Sequence, residues 1–68
     1  MKKYSMQYLN PVNGVSWILP CTSKEDARDK IPYDAKPDGY SEDSNGGGIT
    51  TFVNANGLYY LIEENNND

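Results

Sequence analysis

The sequence predicts a small α+β domain, in which two β-hairpins form a four-stranded antiparallel sheet. One short helix lies on a face of the sheet, and a long acidic, glycine-rich loop follows it (order ββαββ). Two pairs of segments rich in β-branched and aromatic residues each flank an Asn-Gly turn signal, at 13–14 and 56–57. A helix-capping pattern followed by Pro32 lies between the pairs. A small, partly closed β-barrel is the alternative arrangement of the same strands.

The first hairpin is predicted over residues 3–20. Its first strand alternates apolar and polar side chains from Tyr4 to Tyr8, which is typical of a strand with one buried face. The turn is predicted at 10–14, where proline presets φ and Asn-Gly reverses the chain. The second strand carries Trp17, which we expect to anchor the core.

A short helix is predicted from a Thr22 or Ser23 cap to about Ile31. Each candidate cap has an acidic residue three positions later, which is the spacing of a capping box. Pro32 ends the helix because a residue before proline is pushed toward extended geometry. Ala27 and Ile31 share one face, and two turns are too short to be stable alone, so we expect this face to pack on the sheet.

Residues 32–48 are predicted to form a long connection, mobile over 41–48, because this polar, glycine-rich segment has almost nothing to bury. The second hairpin is predicted over 49–64. Its second strand, 58–62, is apolar at every position, whereas a half-buried strand alternates. Either this strand is central in the sheet, or one of its faces is covered by a partner.

The size and composition indicate one domain over 1–64, with a frayed polar tail at 65–68. A chain of 68 residues buries only about 60% of its unfolded surface. Cys21 is the sole cysteine and there is no histidine, which excludes a disulfide framework and disfavours a tetrahedral zinc site. The chain has no apolar leader after Lys2-Lys3 and no run of about 18 apolar residues, so we expect a cytoplasmic protein.

The charge balance also restricts the partners. Ten acidic and six basic residues give a formal net charge of −4, which argues against binding to a phosphate backbone and weakly favours a basic partner. Trp17 and the six tyrosines could stack on single-stranded nucleic acid, but such platforms lie in a positive groove. We therefore expect no direct nucleic-acid partner and no membrane partner.

No catalytic, cofactor or metal site is predicted. Cys21 has no histidine to act as its base, so it is expected to serve as a small hydrophobe. The segment 34–39 resembles the start of a calcium loop, but Lys36 and Asn45 occupy the third and twelfth positions, where ligands are required. Gly46–Gly48 lacks the Lys-Ser/Thr and the helix of a phosphate-binding loop.

The remaining candidate for function is the surface of the last strand. Alternate residues of this strand point to opposite faces, so one set packs with the helix and the other is spare. We expect Tyr59 and Leu61 on the spare face, unless the loop carrying Tyr33 and Tyr40 covers it. An acidic rim completes the predicted site, and it would also include Asp34 and Asp38 if the long loop packs beside the last strand. The candidate protein-binding residues are Tyr59, Leu61, Tyr40, Glu42, Asp43, Glu63 and Glu64.

These features predict a small, acidic, non-enzymatic protein-binding module. The most specific form of this hypothesis is an inhibitor encoded by a phage or mobile element, such as an anti-CRISPR or other anti-defence protein. It would act in the host cytoplasm, blocking a host enzyme or defence complex sterically or by imitating nucleic acid. A homo-oligomeric structural or assembly protein and a single-stranded nucleic-acid binder are the two alternatives.

Overall fold

The computed structural model describes residues 2–65, which form five strands and one helix. In chain order these are β1 (Lys2–Leu9), β2 (Ser16–Cys21), α1 (Lys24–Asp29), β3 (Lys36–Glu42), β4 (Gly48–Asn54) and β5 (Gly57–Asn65). All strand pairs are antiparallel, and the sheet has the order β2-β1-β5-β4-β3. The predicted sheet with one short helix is confirmed, but it has five strands instead of four. The sheet is open, so the barrel alternative is wrong.

Both predicted hairpins are present, and their turns depend on asparagine and glycine. In the first turn, Asn10 Oδ1 accepts a hydrogen bond from the Val12 amide at 2.9 Å, and Gly14 has a φ of 75°. In the second, Asn54 pairs with Gly57 across a two-residue turn, and Gly57 has a φ of 144°. L side chains rarely adopt such positive φ values, which is why glycine stands at both positions.

The helix begins at the second of the two predicted caps. Ser23 Oγ accepts a hydrogen bond from the Asp26 amide at 3.0 Å, and the Asp26 carboxylate accepts one from the Thr22 amide at 2.9 Å. Asp26 also pairs with Lys30 at 2.7 Å, one turn along the helix. The hydrogen bond from Lys30, and then that from Thr22, hold the pKa of the Asp26 carboxyl below its usual range.

The helix ends earlier than predicted. Its last residue is Asp29; the amide of the C-cap Lys30 donates to the Ala27 carbonyl at 3.2 Å, and the Ile31 amide donates to the Arg28 carbonyl at 3.1 Å. Ile31 therefore lies beyond the helix, but it is buried in the core as expected. The predicted apolar face, formed by Ala27 and Ile31, thus packs on the sheet although only one of the two residues is helical.

β3 is the strand that the sequence did not reveal. It falls in the segment predicted as a loop, and its sequence, Lys-Pro-Asp-Gly-Tyr-Ser-Glu, has low β propensity. All seven residues are exposed, so no apolar pattern marks the strand. It forms because β4, which pairs with β5 along one side, supplies backbone hydrogen-bonding partners along its other side. The register shifts between Pro37 and Gly39. The turn into β4 is organised by Asp43 Oδ1, which accepts from the Asn45 and Gly47 amides at 2.8 Å each.

The core lies between α1, the segment after it and one face of the sheet. It consists of Met6, Ala27, Ile31, Ala35, Phe52, Tyr59 and Leu61. Trp17, the expected anchor, is not part of this core, because it stands on the edge strand β2 and is 44% exposed. Its ring packs on Tyr8, with the ring centroids 5.3 Å apart.

The C-terminal tail predicted at 65–68 is described only at its first residue. Asn65 is the last residue of β5 and pairs with Lys2 of β1. Residues 66–68 lie outside the described part of the chain.

Candidate protein-binding surface

The two faces of the sheet differ in what covers them. One face packs against α1, and the register places Tyr59 and Leu61 of β5 on this covered face. Both are buried, at 6% and 4% exposure. The expectation that they form the spare surface is therefore corrected, because their side chains lie inside the domain. The spare set of β5 consists of Leu58, Tyr60 and Ile62.

We use the name open face for fifteen positions that lie opposite α1, three on each strand, in the three rows that cross all five strands. Strand pairing aligns them in rows across the sheet, and residues two apart on a strand share a face. The positions are Ser16, Ile18 and Pro20 of β2; Ser5, Gln7 and Leu9 of β1; Leu58, Tyr60 and Ile62 of β5; Ile49, Thr51 and Val53 of β4; and Lys36, Gly39 and Ser41 of β3.

The open face is nearly free of charge. Sixteen of the 68 residues are charged, but these three rows hold only one of them, Lys36, at a corner on the edge strand. A fourth, incomplete row on the same side pairs Lys3 with Glu64, so two opposite charges border the open face at its acidic end. The solvent side of an antiparallel sheet ordinarily carries polar and charged residues in alternation with the core side. Here eight of the fifteen positions are apolar, six are serine, threonine, glutamine or glycine, and the last is Lys36. This composition is typical of an interface.

No part of residues 2–65 covers the open face. Ile18 and Ile49 are 57% and 39% exposed, whereas the three β5 residues are half-buried by their neighbours in the sheet. The alternative, in which the loop carrying Tyr33 and Tyr40 covers the spare face, is not observed, since Tyr33 is fully exposed. Tyr40 lies on the covered side, where its ring packs over Gly48.

The predicted acidic rim is assembled only in part. Pairing of Glu42 with Gly48, and of Gly48 with Glu63, places both glutamates at the end of the sheet where β5 finishes. Asp43 follows in the adjoining turn, and Glu64 precedes the last residue of β5. Asp34 lies at the opposite end, where its carboxylate accepts a hydrogen bond from Asn54 Nδ2 at 3.1 Å.

The four carboxylates at this acidic end have different surroundings. Glu63 pairs with Lys2 at 2.5 Å, and their hydrogen bond raises the pKa of the Lys2 ammonium group. The Asp43 carboxylate is occupied by turn amides. Glu42 and Glu64 are exposed, so they are the two carboxylates of this end best placed to meet a partner.

The chemistry of the described residues gives no competing site. Cys21 is half-buried against the core, and its thiol donates to the Leu19 carbonyl oxygen at 3.5 Å. Residues 2–65 contain no cluster of three metal-ligating side chains. Over the same range, no helix is long and apolar enough to cross a membrane.

The sequence pattern identified β5 as an unusual strand, but the residues selected from it were those of the covered face. No local signal separates Tyr60 and Ile62 from Tyr59 and Leu61, because both sets are apolar. A usable signal lies in β1, where polar Ser5 and Gln7 mark the exposed side, and the β1–β5 register places these residues beside Ile62 and Tyr60.

Comparisons of the chain with known protein families, with curated proteins and with solved structures found no match.

Proposed function

We propose that this chain is a non-catalytic protein-binding module and that the open face is its binding surface. The observation that carries the proposal is the confinement of charge to the margins of an uncovered, largely apolar sheet face in a chain rich in charged residues. Exposed apolar patches of several hundred Å² on small domains mark interaction sites. The polar positions of this face other than Lys36 are neutral, so they can be desolvated at lower cost than charged ones.

The size of the open face is sufficient for a specific contact. Five strands spaced about 4.8 Å apart, each contributing about six residues at about 3.3 Å, give a face of about 480 Å². A partner that covers this face loses a similar area of its own, so about 1,000 Å² of surface is buried in total, which is near the lower limit of specific interfaces. A central aromatic residue favours tight local packing, and Tyr60 occupies this central position, on the middle strand and in the middle row.

The acidic end gives the proposed partner a second property. Glu42 and Glu64 lie beyond one end of the open face, so a partner with a basic region beside an apolar patch would be attracted and oriented. A nucleic-acid-handling enzyme has such a basic region at its substrate channel. The specific form of our proposal is therefore an inhibitor that occupies this kind of enzyme or defence complex and blocks the channel sterically, with the acidic end in place of phosphates.

The test compares two identical substitutions at two tyrosines. Tyr60→Lys introduces a charge at the centre of the open face, whereas Tyr33→Lys introduces the same charge at a fully exposed loop position away from it. Each variant and the parent chain are immobilised and exposed to lysate of the source cells, after far-UV circular dichroism has shown that all three are folded.

We expect one protein of the lysate to be retained by the parent chain and by Tyr33→Lys, but not by Tyr60→Lys. Retention of that protein should weaken with salt if the acidic end contributes. Equal retention by all three chains would mean that the open face is not the binding surface. A folded parent chain that retains no protein would refute the binding function itself.

A further inference from the structure

The two edges of the sheet are unequal, and the edge at β2 carries unused backbone groups. The Asn10 amide donates to the Val15 carbonyl at 2.8 Å, which sets the alternation of hydrogen-bonded pairs in this hairpin. Residues 17 and 19 therefore bond to β1, whereas Ser16 and Ile18 direct their amide and carbonyl groups away from the sheet. Pro20 occupies the next outward position, where its missing N–H costs nothing.

The opposite edge, at β3, is protected against strand pairing. Pro37 interrupts its outward donors, and the register shift beside it distorts the strand. Lys36, Asp38 and Glu42 add charge along the same seven residues. Proline, bulges and charged side chains are the devices by which proteins prevent edge-to-edge association.

The β2 edge has none of this charge. No charged residue occurs from Tyr4 to Ser23, a stretch that contains β2, the turn before it and all of β1 except Lys2 and Lys3. Four large apolar side chains are exposed on or beside β2. These are Val15 at 50%, Trp17 at 44%, Ile18 at 57% and Leu19 at 39%. Pro20 blocks only the last outward position of β2, so the outward groups of Ser16 and Ile18, which no charge or bulge protects, form a template for a further strand.

We propose that β2 pairs antiparallel with β2 of a second copy of this chain, about a two-fold axis at Trp17. In this register Ser16 of each copy faces Ile18 of the other, so their outward amides and carbonyls form four hydrogen bonds. Pro20 stays outside the ladder. The two Trp17 side chains face each other on the side of the sheet that carries α1, and Val15 of each copy meets Leu19 of the other.

The second copy is favoured over a foreign strand for two reasons. The chain carries a formal net charge of −4, so two copies repel except where charge is absent, and the β2 edge lies in the longest uncharged stretch. The register is also self-complementary, since a two-fold axis at Trp17 pairs the outward donors of each copy with the outward acceptors of the other.

The proposed dimer meets the open face only at the β2 edge, through Ser16 and Ile18, and leaves the centre of that face free. Pairing along one short strand buries less than about 1,200 Å², which is typical of weak, reversible association. It joins two sheets into one of ten strands and leaves both open faces on the same side. The dimer would therefore present two binding surfaces side by side, and avidity would strengthen binding to a repeated or extended partner.

The experiment measures the mass of the chain by sedimentation equilibrium from about 10 µM to about 1 mM, the range of weak complexes. Trp17→Lys and Trp17→Glu place like charges on the axis, so each variant alone should be monomeric. An equimolar mixture of the two should form a dimer again, because opposite charges then meet. Val12→Lys is the matched control, since Val12 is 94% exposed in the turn of the same hairpin.

A second variant serves if Trp17 substitutions unfold the chain. Ile18→Pro removes an outward amide without removing a bond to β1, so it should leave the monomer folded and raise the dimer Kd by at least about tenfold. A parent chain that stays monomeric at about 1 mM overturns the proposal. So does a dimer that survives these variants, or one that is abolished by Tyr60→Lys, which would place the contact on the open face.

Discussion

Leu61 and Leu58 allow the same substitution to be made on opposite faces of one strand. Leu61 is 4% exposed and packs in the core with Met6 and Ala27, whereas Leu58 is half-buried on the open face. Replacing each by alanine removes the same three carbon atoms. We expect Leu61→Ala to lower the free energy of unfolding more than Leu58→Ala does, because only Leu61 lies under the helix.

The magnitudes follow from burial. Leucine-to-alanine changes in a core cost about 2–5 kcal/mol, because the lost transfer free energy is accompanied by a cavity. A half-buried leucine stands to lose about half of the 1.5–3 kcal/mol of full burial, or about 1 kcal/mol, and leaves no closed cavity. A single small core supplies about 3–5 kcal/mol in total, so Leu61→Ala should remove a large part of the stability of the chain.

Urea unfolding followed by far-UV circular dichroism measures the difference. With a denaturant slope of about 1 kcal/mol per molar, Leu61→Ala should lower the midpoint by about 2 M or more, and Leu58→Ala by about 1 M. The measurement is made at low concentration, so that association does not add to stability. Equal shifts, or a larger shift for Leu58→Ala, would show that the faces of β5 are assigned the wrong way round.

Two further predictions concern local structure. The pKa of Asp26 is lower in the folded than in the unfolded chain, so its carboxylate stabilises the fold at pH values above the unfolded pKa. This stabilisation is lost as the pH falls through the folded pKa. The urea midpoint of Asp26→Asn should thus lie below that of the parent chain at about pH 7, and the two should converge near pH 2; a constant gap would contradict this. Gly57→Ala should cost about 1–3 kcal/mol, since its φ is 144° and the new Cβ would lie 2.6 Å from a carbonyl oxygen of β1. At Gly39 a new Cβ would have no atom within 4 Å, so Gly39→Ala should change the unfolding free energy by less than about 1 kcal/mol. Equal losses for the two variants would show that alanine is not strained at position 57.

Local patterns were sufficient to predict the two hairpins, the helix and the order of these elements. Asn-Gly turns and the Ser23 cap act through backbone geometry within a few residues, so they can be recognised without knowing the fold. The burial of Ala27 and Ile31 followed from their spacing. The absence of histidine and the single cysteine also restricted the chemistry from the composition alone.

Other features depended on contacts between distant parts of the chain. β3 has no strand pattern of its own, and it exists because β4 supplies hydrogen-bonding partners. The exposure of Trp17 follows from the position of β2 at the edge, which only the strand order establishes.

The candidate binding surface shows the same division. Leu58–Ile62 indicated by itself that both faces of one strand are apolar, and therefore that one of them could be spare. Which face is spare was decided by the register between β1 and β5 and by the side on which α1 packs. A shift of one residue exchanges the faces of a strand, so a choice between Tyr59 and Tyr60 depends on tertiary contacts that no local pattern contains.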